Sequence, residues 1–81
     1  MGNERAEYLI NATWDAEAAV WVAQSEDVTG LVTEAASFEA LLEKLRTLVP
    51  ELLELNGDMP ASGEVPYRVV AERHESAHAA E

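Results

Sequence analysis

The stretch Ser37 to Gly57, Ser-Phe-Glu-Ala-Leu-Leu-Glu-Lys-Leu-Arg-Thr-Leu-Val-Pro-Glu-Leu-Leu-Glu-Leu-Asn-Gly, constrains this chain more than any other part of it. Phe38, Leu41, Leu42, Leu45, Leu48, Val49 and Leu52 recur at steps of three and four, which gathers them on one stripe of an α-helix. Ser37 offers a hydroxyl to a free first-turn N–H, Glu39 suits the positive end of the helix, and Gly57 tolerates the left-handed conformation that closes one. The pattern predicts one amphipathic helix over Phe38 to Leu55. Pro50 is its flaw: it has no N–H for the carbonyl of Arg46 and it disfavours helical angles at Val49, so a bend or a break is expected there.

An apolar stripe needs a second layer to cover it, and the flanking residues read as strands. Tyr8, Ile10, Ala12 and Trp14 alternate with Glu7, Leu9, Asn11 and Thr13, the period-two pattern of a half-buried strand. After a short polar link at Asp15 to Ala18, the β-branched and aromatic run Ala19 to Ser25 predicts a second strand, paired with the first as an antiparallel hairpin. Glu26 to Gly30 reads as a turn and Leu31 to Glu34 as a short third strand. Beyond the helix, Asn56 to Gly63 is loop-like, and Val65 to Arg73 reads as a fourth strand that Pro66 confines to an edge or to a strand start.

The order strand, strand, strand, helix, strand implies a two-layer α+β sandwich, βββαβ, with the helix on one sheet face. The other face, carrying Leu9, Val20, Val22, Val32 and Val70, is left uncovered. A patch of that kind on a small domain marks an interface, so a homodimer or larger species is expected. Residues 1–6 are expected to be a disordered N-terminus, 7–73 the folded domain and 74–81 a flexible tail.

Composition narrows the function classes. An 81-residue chain is a single small domain with little room for a deep cleft beside its core. With 48% apolar and 26% charged residues it has the balance of a folded protein. The absence of cysteine rules out disulfides and thiolate metal sites and suits a reducing compartment. No signal-peptide pattern and no apolar run long enough to span a bilayer is present, so a soluble cytoplasmic protein is expected. Five basic against sixteen acidic residues give a formal charge of -11, which repels phosphates and argues against direct nucleic-acid binding. The imbalance is steepest in residues 1–36, where seven acids face only Arg5. Such a surface either keeps the protein soluble or steers a basic partner toward it.

No catalytic or cofactor constellation stands out. His74 and His78 are spaced as two ligands on one helix face would be, but they lie in a stretch with no helical stripe and lack further ligands. The four glycines are isolated, so no phosphate-cradling loop exists, and the acids are dispersed. The chain is therefore read as a non-enzymatic protein without metal or cofactor. Trp14 and Trp21, on consecutive strands, pack on the sheet or anchor a partner. The candidate partner-binding set is Trp14, Asp15, Glu17, Trp21, Glu26 and Asp27.

The run from Val20 to Leu45 resembles the N-terminal domain of HicB-type antitoxins. That pattern has an aromatic-apolar strand, here Trp21 to Ala23, and an Asp-apolar-Pro-Gly turn, here Asp27 to Gly30. A Val-Thr pair (Val32-Thr33), a capping residue (Ser37) and a Leu-Glu-rich helix opening at Phe38-Glu39 follow. Tyr8 to Asp15 fits the first strand, so the resemblance covers residues 7–56. Trp14-Asp15 and Leu52 to Gly57 look closer still to an uncharacterised bacterial family of stand-alone HicB-like domains. Two departures are visible: Thr29 stands in place of the turn proline, and no helix-turn-helix or ribbon-helix-helix segment follows Arg73. The resemblance implies a truncated RNase H-like fold without nuclease activity and a sheet order of 3-2-1-4. It also implies a role in binding and blocking a small basic HicA-like toxin that cleaves RNA.

Overall fold

The computed structural model describes residues 7–79, and within them the elements follow as β1 (Tyr8–Asp15), β2 (Val20–Gln24), β3 (Val32–Ala35), α1 (Phe38–Leu55) and β4 (Tyr67–Glu72). The segment 1–6 expected to be disordered, and the last two residues of the expected tail 74–81, lie outside the described residues. The four strands form one mixed sheet in the order β3-β2-β1-β4, antiparallel except for the parallel pairing of β1 with β4. The fold is the expected two-layer α+β arrangement with sheet order 3-2-1-4.

Helix α1 spans the predicted residues. The hydroxyl of Ser37 accepts from the N–H of Ala40 at 3.0 Å. At the other end Gly57 takes a φ of +74°, with its N–H donating to Glu54 O at 3.2 Å and the N–H of Asp58 to Leu53 O at 2.8 Å. That double bond around a left-handed glycine is a Schellman cap, and it satisfies two carbonyls the helix leaves open. Of the bend or break expected at Pro50, the break does not occur: α1 is continuous through it. Arg46, whose carbonyl loses its partner, is exposed and open to water, while Val49 and Leu53 are fully buried on either side of the proline and clamp the turn to the core.

The stripe that packs is narrower than its sequence pattern. Leu41, Leu45, Val49 and Leu53 are buried at steps of four, with Phe38, Leu48 and Leu52 partly buried beside them. Leu42, one residue and about 100° round the helix from Leu41, is turned away from this seam, and Leu53 takes the place expected of it. Beneath the helix lie Tyr8, Ile10 and Ala12 of β1, Ala23 of β2 and Ala35 of β3, one face of the sheet by strand alternation.

Two buried side chains come from a loop rather than a strand. Val28 and Leu31 close the core at the end of the sheet where β1 begins. The N–H of Leu31 donates to Val28 O at 3.1 Å across a turn whose third residue, Gly30, has a φ of +86°. Positive φ at that position defines a type II turn, and it explains why a glycine follows Thr29. It also shifts the third strand one residue onward from the expected Leu31 start, since Leu31 points into the core. The fourth strand is shorter than expected at both ends; Pro66 precedes it and contributes its carbonyl to the N–H of Tyr8 at 2.9 Å.

Candidate protein-interaction surface

The register assigns every side chain to a face. On the helix side Trp14 of β1 is paired with Trp21 of β2, and Trp21 with Ala35 of β3. The two indoles meet edge to face at 5.5 Å and 61°, and Trp21 meets the ring of Phe38, at the start of α1, at 5.2 Å and 62°. Three aromatic rings therefore run in a row across one end of the sheet, each only partly buried. Edge-to-face contact of this kind sets the positive ring edge against the negative ring face and fixes the angle between neighbours.

The row has a fourth member that sequence reasoning passed over. Tyr67, Val69 and Ala71 sit opposite Tyr8, Ile10 and Ala12 on the helix side, and the same alternation carried one step beyond β4 brings Arg73 beside Trp14. Its guanidinium carbon lies 4.3 Å from the centre of the Trp14 ring, and its Nε donates to Glu75 Oε2 at 2.6 Å. The signal was present in the alternation; reading it requires knowing that β4 runs parallel to β1.

The six residues singled out from sequence do not form one site. Trp14, Asp15, Glu17 and Trp21 gather at the β1–β2 hairpin, whereas Glu26 and Asp27 lie in the loop that closes the opposite end of β1. The two groups are separated by most of an eight-residue strand, about 20 Å at the rise of extended chain. Asp15 and Asp27 also hold the backbone in place. Asp15 Oδ1 accepts from the N–H groups of Glu17 at 3.1 Å and Ala18 at 3.2 Å, which shapes the hairpin loop. Asp27 Oδ2 accepts from the N–H of Leu9 at 2.8 Å. Glu17 and Glu26 are exposed.

The face away from the helix carries the expected apolar residues, interleaved with polar ones. One row across the strands reads Val32, Gln24, Asn11, Val70 and the next Glu34, Val22, Thr13, Glu72. Val32, 71% exposed, and Val70, 41% exposed, thus sit on opposite edge strands with two polar residues between them. They form no continuous patch with each other.

Among the described residues no three side chains of metal-binding type converge. His74 and His78 fall in 73–79, which has no helix, and the ring of His74 lies 3.1 Å from Glu72 Oε2 in an exposed pair. An open groove between β3 and α1 is lined by Thr33, Lys44, Thr47, Leu48 and Glu51, with Lys44 Nζ donating to the carbonyl of Glu34 at 2.6 Å. No described helix is long and apolar enough to cross a membrane.

Fold and surface together define a small α+β domain, a mixed four-stranded sheet under one helix. Within that class the chain belongs to the family described as "Domain of unknown function (DUF1902)", whose pattern matches residues 7–79. It is similar in structure to the hypothetical protein TTHA1013 from the extremely thermophilic bacterium Thermus thermophilus. The two share 47% identity over 89% of this chain and 97% of that one, with a TM-score of 0.68. No curated protein matches the chain.

Proposed function

We propose that this chain is a HicB-like, antitoxin-type binding module that neutralises a small basic RNA-cleaving toxin of the HicA kind by covering it, without chemistry of its own, in the cytoplasm. The observation that carries the reading is the hairpin end of the sheet, where the partly exposed indoles of Trp14 and Trp21 meet on one face and the connecting loop carries the exposed Asp15 and Glu17. Aromatic anchors ringed by charge are the usual energetic centre of a protein interface. An RNA-cleaving protein needs cationic side chains to hold phosphates, and a surface with a formal charge of -11 competes for the same side chains. No charged side chain among the described residues is buried, so the charge they carry faces solvent. The sheet order agrees with that implied by the resemblance.

The test is the association rate with a HicA-type toxin, beginning with any small basic protein encoded next to this chain, measured at low and high salt. Steering requires the rate to fall as salt shortens the reach of the charges to about 8–10 Å near physiological ionic strength. A salt-independent rate removes steering, and absence of binding removes the toxin reading.

A second reading is self-association. It draws on the exposed Val32 at the outer edge of β3, a strand paired on one side only. Light scattering over a wide concentration range decides it: a monomer throughout excludes it.

A further inference from the structure

We propose that the face of the Trp14 ring is a seat for an arginine side chain of a basic protein partner, and that Arg73 occupies this seat in the free chain. The proposal rests on the reading above for the existence of such a partner and adds how the surface recognises it. A guanidinium already lies over the ring at 4.3 Å, so the ring is open to a cation of this shape. Trp21 meets Trp14 edge to face, and α1 packs over β2 and β3 rather than over β4, leaving the Trp14 side of the sheet reachable.

Arg73 is held weakly enough to be displaced. Its side chain is 44% exposed, and its ion-pair partner Glu75, two residues along, is 69% exposed. Both lie in 73–79, outside the sheet ladder, so lifting them away breaks no strand pairing. An incoming arginine keeps the charge balance over the ring, at an end of the sheet where the hairpin loop carries the exposed Asp15 and Glu17. The planar guanidinium stacks on an indole better than the compact, strongly hydrated ammonium of lysine does, so the seat selects arginine.

The test titrates the full chain, isotope-labelled at its tryptophan indoles, with capped tri-arginine and tri-lysine peptides. Three forms are compared: wild type, Arg73→Ala and Arg68→Ala. Arg68 lies on the opposite sheet face in an exposed pair with Glu7, so its removal changes the net charge equally without touching Trp14. Tri-arginine is expected to bind Arg73→Ala about two- to fivefold more tightly than Arg68→Ala, the range of one exposed cation–π contact, and to shift the Trp14 indole signal. Tri-lysine is expected to show a smaller difference between the two variants. Equal tri-arginine affinity for both variants, equal gains for both peptides, or an unmoved Trp14 signal in Arg73→Ala would each overturn the seat. Binding of a HicA-type toxin to the wild type is scored separately, so loss of the toxin reading and loss of the seat are distinguishable.

Discussion

Ser25 donates its hydroxyl to the carbonyl of Leu9 at 2.6 Å, joining the end of β2 to the start of β1. The same oxygen accepts from the N–H groups of Asp27 at 3.0 Å and Val28 at 3.1 Å, while Asp27 returns a carboxylate oxygen to the N–H of Leu9. Two side chains thus extend the ladder by one rung past the last paired residue of β2. They hold the loop that carries Val28 and Leu31 into the core. Ser25→Ala is expected to lower stability by about 1–3 kcal/mol, since it removes a partner from partly buried backbone groups. A urea midpoint equal to that of the wild type would show the rung to be dispensable.

The seam under α1 gives a sharper contrast. Leu45 is fully buried, and Leu45→Ala is expected to destabilise by about 2–5 kcal/mol, whereas the exposed Glu43→Ala should stay within about 0.5. Leu42→Ala should fall between them. Equal losses at Leu42 and Leu45 in thermal or urea unfolding would contradict the narrow stripe.

Ala19 closes the β1–β2 hairpin with a φ of +58°, a region in which a Cβ is strained. Ala19→Gly relieves the strain but adds freedom to the unfolded chain, and the expected net gain is roughly 0.5–1 kcal/mol. A lower melting temperature for the variant would mean that the loop has adapted to alanine.

Thr29 occupies the second position of the type II turn ahead of Gly30, where proline fits best. Thr29→Pro is expected to raise stability by about 0.4–1 kcal/mol through the unfolded state. The bond from Asn56 Nδ2 to the carbonyl of Thr29, 3.0 Å long, survives the change because proline keeps its carbonyl. Loss of stability would show that the turn needs the threonine N–H or a different backbone angle.

Charge reversal separates steering from structure. Glu17→Lys and Glu26→Lys alter exposed carboxylates that make no backbone contact of the kind Asp15 and Asp27 make. Each should slow association with the basic partner at low salt and leave the unfolding midpoint within about 0.5 kcal/mol of the wild type. Asp27→Lys should unfold more easily, because Leu9 loses its acceptor. Unchanged on-rates in both Glu variants would remove the acidic surface from the encounter.

Periodicity and end signals made the elements readable in sequence. The steps of three and four between Phe38 and Leu52, with Ser37 and Gly57 at the ends, located α1 to the residue, and alternation from Tyr8 to Trp14 located β1. Where the sequence pattern and the structure part, a long-range constraint decides. Leu31 looks like a strand residue and becomes a plug, because a turn with Gly30 aims it inward. Pro50 looks like a breaker and is tolerated, because burial at Val49 and Leu53 outweighs one missing bond. The candidate surface was readable residue by residue but not as an arrangement. Composition marks Trp14 and Asp27 equally, and only the direction of β1 puts them at opposite ends.

The parallel seam between β1 and β4 also sets the order in which the chain can acquire its structure. The central strand is the first to be made, and its second neighbour is the last: Tyr8 must wait for Tyr67, and Thr13 for Glu72, before both flanks of β1 are paired. The hairpin and α1 can assemble through contacts close in sequence, but closing the large loop from β1 to β4 carries an entropic penalty that local contacts do not offset. A chain released or cut before Tyr67 would carry β1 as a bare edge, with its row of N–H and C=O groups open to any passing strand.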